Sequence, residues 1–174
     1  MSSNETSQTC DPGATWAFLT LRLWLGARAL LSGIEKFSEK VTIEQPLRDA
    51  TGAPDPSGAV VEIQQKVYGL SHYHAIPEAL TTKLLQEPLL PQSLTTAFLG
   101  SLGYTLIVLG AMLLLGICTR CALGLMGILY TLLMAGLLLI HQEDGVAWLG
   151  IHAGLIAFAL ALSRHNRFAL TRKC

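Results

Sequence analysis

Charged residues are scarce in this chain: Asp, Glu, Lys and Arg together make up 14% of its 174 residues. A typical soluble domain is roughly one-quarter charged, and the mean hydropathy here is +0.47, so both values argue against a soluble globular domain. They also exclude a disordered chain and a coiled coil, and the cysteine content of 4 is too low for a disulfide-dense mini-domain. The formal net charge is zero, which gives no electrostatic reason to expect a nucleic-acid partner.

Recognised catalytic signatures are missing as well. The sequence contains no phosphate-binding loop, nucleophile elbow or zinc-protease motif. It also lacks the internal repeat that would support a transporter. A signal peptide is not expected, because residues 1–13 contain Glu5 and Asp11 but no Lys or Arg.

Long apolar runs dominate the rest of the chain. A membrane-spanning helix needs about 20 mostly apolar residues, and the first qualifying segment contains Arg22 and Arg28 while the last contains His152. The four spans are predicted at about 15–34, 95–117, 121–140 and 146–163. The sequence therefore predicts an all-α fold, namely a polytopic protein whose membrane domain, 15–163, is a four-transmembrane-helix bundle in a lipid bilayer.

The distribution of Lys and Arg predicts the orientation of the bundle. The tail at 164–174 is basic and the connection between the second and third spans carries Arg120, whereas the connection at 141–145 has no Lys or Arg. Both tails, 1–14 and 164–174, are therefore predicted to be cytoplasmic. The long segment 35–94 is then extracytoplasmic, and the expected location is the cytoplasmic (inner) membrane of a bacterium.

The segment 35–94 is too long for a simple connection between spans. Two of its stretches, 60–70 and 77–87, are predicted as short helices. In the second, Pro77 suits the first helical turn and Glu78 suits its positive end. We interpret the segment as a cap packed over the four spans, with a docking surface or a lid as the alternative.

A stripe of small and basic residues runs along the first span from Arg22. At roughly 100° per residue, Gly26, Gly33 and Lys36 all fall within about 40° of it on a helix. An arginine inside hydrocarbon is costly unless it faces the bundle interior and finds acceptors. Arg22 is therefore either an anion or quinone-headgroup contact, or a structural residue that bonds to backbone carbonyls or reaches the interface. Arg28 lies deeper, on another face, and needs a partner from a second subunit or a lipid phosphate.

Histidines and cysteines supply the other candidate functional groups. Cys118 and Cys121 form a C-x-x-C pair that fits a redox dithiol or half a metal site, with inert thiols as the alternative. His72 and His74 form an H-x-H pair, but no metal site is predicted. His152 is a candidate because an ionisable residue at membrane depth is a functional-site hypothesis by default. It fits proton exchange near a quinone, or a hydrogen bond across helices.

Glycines at helical spacing predict close contacts between helices. Gly150 and Gly154 flank His152 but lie about 160° from it on a helical wheel, so one face of the last span can pack while the other presents the histidine. The glycines predicted to pack against neighbouring helices are Gly26, Gly33, Gly103, Gly110, Gly150 and Gly154.

Two short motifs carry a resemblance to a known family. The first is LRLWLG at 21–26 followed by GIEKF at 33–37, and the second is GAMLLLG at 110–116 followed by TR at 119–120. They resemble the first-helix pattern and the second-helix glycines of the DoxX/DoxD family. The positions that match are Arg22, Gly26, Gly33, Lys36, Gly110, Gly116 and Arg120.

The resemblance implies a four-helix membrane bundle that works with redox enzymes, since DoxD-type proteins are subunits of a thiosulfate:quinone oxidoreductase. Our first hypothesis is an integral membrane subunit of a redox complex that uses thiosulfate or another sulfur compound. The subunit would anchor the complex and contribute to quinone or anion binding through Arg22, Lys36 and His152, and it would be an enzyme only together with its partners. The hypothesis assures no cofactor, and quinone is the one it suggests.

Two other hypotheses belong to different functional classes. The second is a purely structural or assembly subunit of a larger membrane complex, and the third is a receptor or small transporter. Partner subunits or further copies of the chain are expected in the first two cases. Nucleic acid is expected in none of the three.

Overall fold

Four helices in the described part of the chain are long and apolar enough to cross a membrane. The computed structural model describes residues 12–47, 57, 59–166 and 170, so most of the tails predicted at 1–14 and 164–174 lies outside the described residues. In chain order the elements are α1 (Pro12–Glu35), β1 (Ser38–Pro46), β2 (Val60–Tyr68), α2 (Glu78–Gln86), α3 (Gln92–Leu115), α4 (Thr119–Leu139) and α5 (Glu143–Leu162). The four long helices α1, α3, α4 and α5 occupy the predicted spans, and each begins two or three residues before its predicted start.

The long helices pack as a bundle around a core of aliphatic side chains. Helix α1 lies along α3 and also contacts α5, while α4 packs mainly against α5 and less extensively against α3. The outward faces are equally apolar: Trp16, Leu138 and Phe158 are each more than 60% exposed. Apolar side chains on the inside and the outside of a bundle are typical of helices that contact lipid. The largest fully buried side chains are Phe18, Leu25, Leu102, Leu113, Leu123, Met126 and Ile156.

A tight turn joins α3 to α4 and makes the two helices antiparallel neighbours. Gly116 adopts a left-handed conformation with φ of 73°, which glycine reaches without a steric penalty. Its amide donates to Leu113 O at 3.2 Å, and the next amide, that of Ile117, donates to Met112 O at 2.9 Å. This pairing ends α3 as a Schellman-type cap. The turn lies at what we call the Arg120 end of the bundle.

The opposite end of the bundle carries an antiparallel β-hairpin, and this corrects the all-α prediction. Strand β1 pairs with β2 from Ser38 opposite Tyr68 to Pro46 opposite Val60. The helix predicted at 60–70 is therefore wrong. Its sequence is rich in β-branched residues that alternate with polar ones, which favours a pleated strand over a helix.

The hairpin has one apolar face and one charged face. Cross-strand partners share a face, so the register places Val41, Ile43, Ile63, Val61 and Val67 together. Most strand residues are exposed on both faces, and Ser38 is the buried exception. A two-stranded hairpin without packing partners is marginally stable in water. The apolar face is thus left uncovered by the described part of the chain.

Helix α2 occupies the second stretch predicted to be helical. It begins after Pro77, carries Glu78 in its first turn and buries Leu84. A methyl carbon of Leu84 lies 3.3 Å from where a Cβ on Gly136 would stand, which places α2 against α4. This part of the segment 35–94 covers the bundle as a cap, whereas the hairpin is exposed.

Candidate functional site

Arg22 is the centre of a buried polar network at the Arg120 end of the bundle. Its side chain is 4% exposed, and Nη1 donates to Asn166 Oδ1 at 3.1 Å. The Asn166 Nδ2 group donates in turn to Thr119 Oγ1 at 3.0 Å. These three side chains, which we call the Arg22 network, connect α1, the first residue of α4 and the chain that follows α5.

Further basic groups surround the Arg22 network. Arg120 Nε donates to Ser163 Oγ at 3.2 Å, which makes a second link between α4 and the end of α5. Arg120 and Arg164 are exposed, while His165 is partly buried in the same 3₁₀ turn. The arrangement places cations where a membrane helix meets water, which attracts anions.

His152 belongs to a second polar cluster in the middle of the bundle. It is 8% exposed, and its Nδ1 lies 2.8 Å from Trp148 O, one turn earlier in α5. Its ring meets Tyr130 edge-on at a centroid distance of 5.9 Å. Arg28, the other ionisable candidate at this depth, is exposed on α1. We call His152 and Tyr130 the His152 cluster.

Lys36 lies at the hairpin end, directly after α1. Burial lowers the pKa of its ammonium group, and the neighbouring Glu35 carboxylate partly opposes that shift. Its carbonyl accepts from the His74 amide at 2.8 Å. Lys36 is thus built into the junction between α1 and the segment that follows the hairpin.

Tyr73 attaches this segment to α3. Its hydroxyl donates to Leu99 O and accepts from the Gly103 amide at 3.2 Å. Its ring packs against Phe37 at 4.9 Å and against Tyr104 at 5.7 Å between centroids. Gly103 leaves room for the ring, since a Cβ there would stand 2.7 Å from it.

The structure does not bring the three predicted polar contacts into one site. Lys36 follows the last residue of α1 and lies 14 positions after Arg22. That separation corresponds to about 21 Å along a helix. His152 lies 14 positions before Asn166, the residue that binds Arg22, so it is also at a different depth. Any quinone or anion contact must therefore be assigned to these residues separately.

The predicted glycines divide into two groups. Gly26 and Gly33 on α1 face Gly110 and Gly103 on α3, and a Cβ on Gly110 would stand 2.6 Å from the Leu30 amide nitrogen. These glycines set the short distance between α1 and α3.

Gly150 and Gly154 do not pack against another helix within the described part of the chain. Apart from the backbone of α5 itself and their chain neighbours, no atom of the described residues lies within 4 Å of a Cβ placed on either glycine. Both point away from the other helices because α5 turns its opposite side, with His152, Ile156 and Ala159, towards the core. Their face is open to lipid or to another chain.

The Cys118 and Cys121 pair lies at the turn between α3 and α4. Cys118 is disulfide-bonded, whereas Cys121 carries a free, exposed thiol, so the two are not joined to each other. At the hairpin end, His72 pairs with Glu39, while His74 Nδ1 lies 2.8 Å from His72 O. Within residues 12–47, 57, 59–166 and 170, no three His, Cys, Asp or Glu side chains come close enough to hold a metal ion.

Sequence reasoning did not identify the partners of the buried polar groups. Asn166 lies 144 positions from Arg22, and an asparagine after a span carries no local signal of such a contact. Tyr130 had a visible signal, since it is a lone phenol within an uncharged span. Tyr73 also had one, because it stands between two histidines as the middle residue of the H-x-H pair.

Comparison of the chain with models of protein families, with curated proteins and with solved structures finds no match. The resemblance to the DoxX/DoxD family therefore stands on the two motifs alone.

Proposed function

We propose that this chain is a DoxX/DoxD-like integral membrane subunit of a redox complex, which anchors the complex and contributes to quinone or oxyanion binding. The observation that carries the proposal is the His152 cluster. Burying an ionisable group at membrane depth costs free energy, so such a group indicates proton or ligand handling. The complex would oxidise thiosulfate or another sulfur compound, with partner subunits supplying the rest of the reaction.

His152 is arranged to accept a proton. A neutral imidazole that donates from Nδ1 to Trp148 O leaves the Nε2 lone pair free to accept a hydrogen bond. Placed beside a quinone oxygen, Nε2 would take up a proton and pass it to that oxygen as electrons from the sulfur compound, delivered by the partner subunits, reduce the quinone to quinol, and Tyr130 would hold the ring in position through their edge-on contact. The Arg22 network lies at a different depth, at the Arg120 end of the bundle, and would attract the sulfur oxyanion.

Turnover by the complex extracted in mild detergent tests this proposal. We expect thiosulfate-dependent quinone reduction to fall about 10²-fold or more in His152→Phe, since phenylalanine keeps the ring packing but removes both nitrogens. Co-purification of partner subunits should stay unchanged. The control is Trp148→Phe, because that indole is 65% exposed and its backbone carbonyl is retained.

Two results would contradict the redox proposal. One is full turnover in His152→Phe. The other is the absence of thiosulfate-dependent quinone reduction in a wild-type preparation that retains its partners. An Arg22→Ala variant tests whether Arg22 binds the oxyanion. If it does, this variant should lose turnover while the complex still assembles.

The uncovered hairpin favours a second candidate, a structural or assembly subunit. Its apolar face would pack against an extramembrane domain of a partner subunit. We expect Ile43→Thr combined with Ile63→Thr to reduce co-purification of that partner without changing the melting temperature of the bundle. The control pair is Thr42→Ser with Gln64→Asn on the charged face, and equal recovery of partner in both double variants would exclude hairpin docking.

The proposal also includes a cytoplasmic Arg120 end in a bacterial inner membrane. Cys121 reports on this side, because its thiol is exposed. With the other cysteines changed to serine, Cys121 should resist a membrane-impermeant maleimide in intact spheroplasts and react in inverted vesicles. Thr42→Cys in a background without Cys121 should behave in the opposite way, because it lies on the hairpin. Labelling of Cys121 in spheroplasts would reverse the assigned orientation.

A further inference from the structure

A cavity of about 250 Å³ lies between α3 and α4 at the hairpin end of the bundle. Helix α2 forms its roof through Leu84, and Phe98 and Leu99 of α3 form one wall. The other wall consists of Leu133, Gly136 and Leu137 of α4. The cavity exists because α3 and α4 pack less extensively against each other than α4 does against α5, and because Gly136 contributes no side chain.

The walls of the cavity are hydrocarbon. Thr95 is the single polar residue in the described lining, and its hydroxyl donates to Pro91 O at 3.2 Å. A buried water needs two to four polar partners, and cavities of roughly 150 Å³ lined by Leu, Ile and Phe stay dry and bind benzene. A larger cavity of the same chemistry therefore suits an apolar occupant and not a solvated one.

The cavity opens sideways, towards the surface where the bundle contacts lipid. Two of its lining residues, Leu94 on α3 and Leu132 on α4, are 66% and 54% exposed. Both belong to the apolar outer surface of helices that are long enough to span a membrane. A hydrocarbon chain can enter between them directly from the bilayer, without crossing water.

We propose that this cavity binds the hydrocarbon chain of a bilayer amphiphile from the leaflet on the hairpin side. Helix α2 would cover the bound hydrocarbon chain, with Leu84 buried over Gly136 and the Lys83 side chain exposed beside it. The acyl chain of a phospholipid and the isoprenoid tail of a quinone share this chemistry. Binding is a property of the bundle and does not depend on the proposed redox function.

Photo-crosslinking in proteoliposomes tests the proposal with the full chain. One arm uses phosphatidylcholine with a diazirine in its acyl chain, and the other uses a quinone with a diazirine in its isoprenoid tail. Mass spectrometry of the wild-type protein should place cross-links on cavity residues such as Phe98 and Leu133. In Gly136→Leu these should fall about tenfold, because the leucine side chain displaces several methylenes of the bound chain.

Gly150→Leu is the matched control, because it is the same substitution on an outward face where no described residue outside α5 comes within 4 Å of the added Cβ. It should leave the cavity cross-links unchanged. Ala135→Leu, at a second lining position, replaces Gly136→Leu if that variant fails to give a monodisperse protein. Cross-linking requires no turnover by a redox complex. A negative cross-linking result can therefore be distinguished from failure of the redox proposal.

The two arms identify the source of the chain. Cavity cross-links from the phospholipid probe assign an acyl chain, and cross-links from the quinone probe alone assign an isoprenoid tail. Cross-links spread evenly over the outward faces of α1, α3, α4 and α5 would overturn the proposal. So would cavity cross-links that persist at wild-type level in both Gly136→Leu and Ala135→Leu.

Discussion

Gly110→Ala should lower the melting temperature of the detergent-solubilised protein by about 6–12 °C. A Cβ at this position would stand 2.6 Å from Leu30 N, 2.8 Å from Gly26 O and 2.9 Å from Leu30 Cα. All three are backbone atoms, so no side chain can rotate away and α1 has to move off α3. Overpacking costs about 1–3 kcal/mol, and we expect the upper end, at about 2–4 °C per kcal/mol for a chain of this size.

Gly100→Ala is the control for this effect. It lies in the same helix, α3, but beyond the helix backbone no atom of the described residues lies within 4 Å of its Cβ position. Alanine favours a helix by up to about 1 kcal/mol over glycine, so this variant should melt at or slightly above the wild-type temperature. Equal melting temperatures for the two variants would show that α1 and α3 do not pack through Gly110.

Asn166→Ala should destabilise the bundle by about 1.5–3 kcal/mol, which is the usual worth of a hydrogen bond to a charged group. The Arg22 guanidinium stays buried but loses the Oδ1 acceptor at 3.1 Å. Thr119, which is 4% exposed, loses the donor at 3.0 Å. Thermal unfolding followed by intrinsic fluorescence measures the change.

Asn166→Asp separates the hydrogen bond from the side-chain volume. Aspartate still accepts from Arg22, now as a charged partner, and the Thr119 hydroxyl can donate to it. Its melting temperature should therefore stay close to that of the wild type. A drop as large as that of Asn166→Ala would mean that the amide donor to Thr119, and not the acceptor for Arg22, is the stabilising contact.

The positions of the long helices could be predicted because their signal is local. Each span is a continuous apolar run, and membrane insertion depends on summed hydropathy over about 20 residues. The hairpin was not predicted because its apolar and polar residues alternate only over short stretches. A short amphipathic helix can show a similar pattern. The register settles the matter, since Ile43 opposes Ile63 on one face, and that is a non-local fact.

The candidate sites were predictable one residue at a time but not as assemblies. The unusual depth of Arg22 and His152 is visible in the sequence, because charged and ionisable groups stand out in an apolar run. Their contacts with Asn166 and Tyr130 depend on which helices become neighbours. Gly150 illustrates the same point. The spacing of glycines predicts which face of a helix can be approached closely, but it does not identify the neighbouring helix that packs there.

The Arg22 network has a consequence for biosynthesis. The Asn166 acceptor is made 144 residues after Arg22, and at about 5–20 residues per second the ribosome needs roughly 7–30 s to cover that distance. Helices α1 and α3 can pair through their glycines as soon as α3 has been made, well before Asn166 exists. The hydrogen bond from Arg22 to Asn166 therefore forms last, and it joins α1 to the chain after α5 only when the final span has been made.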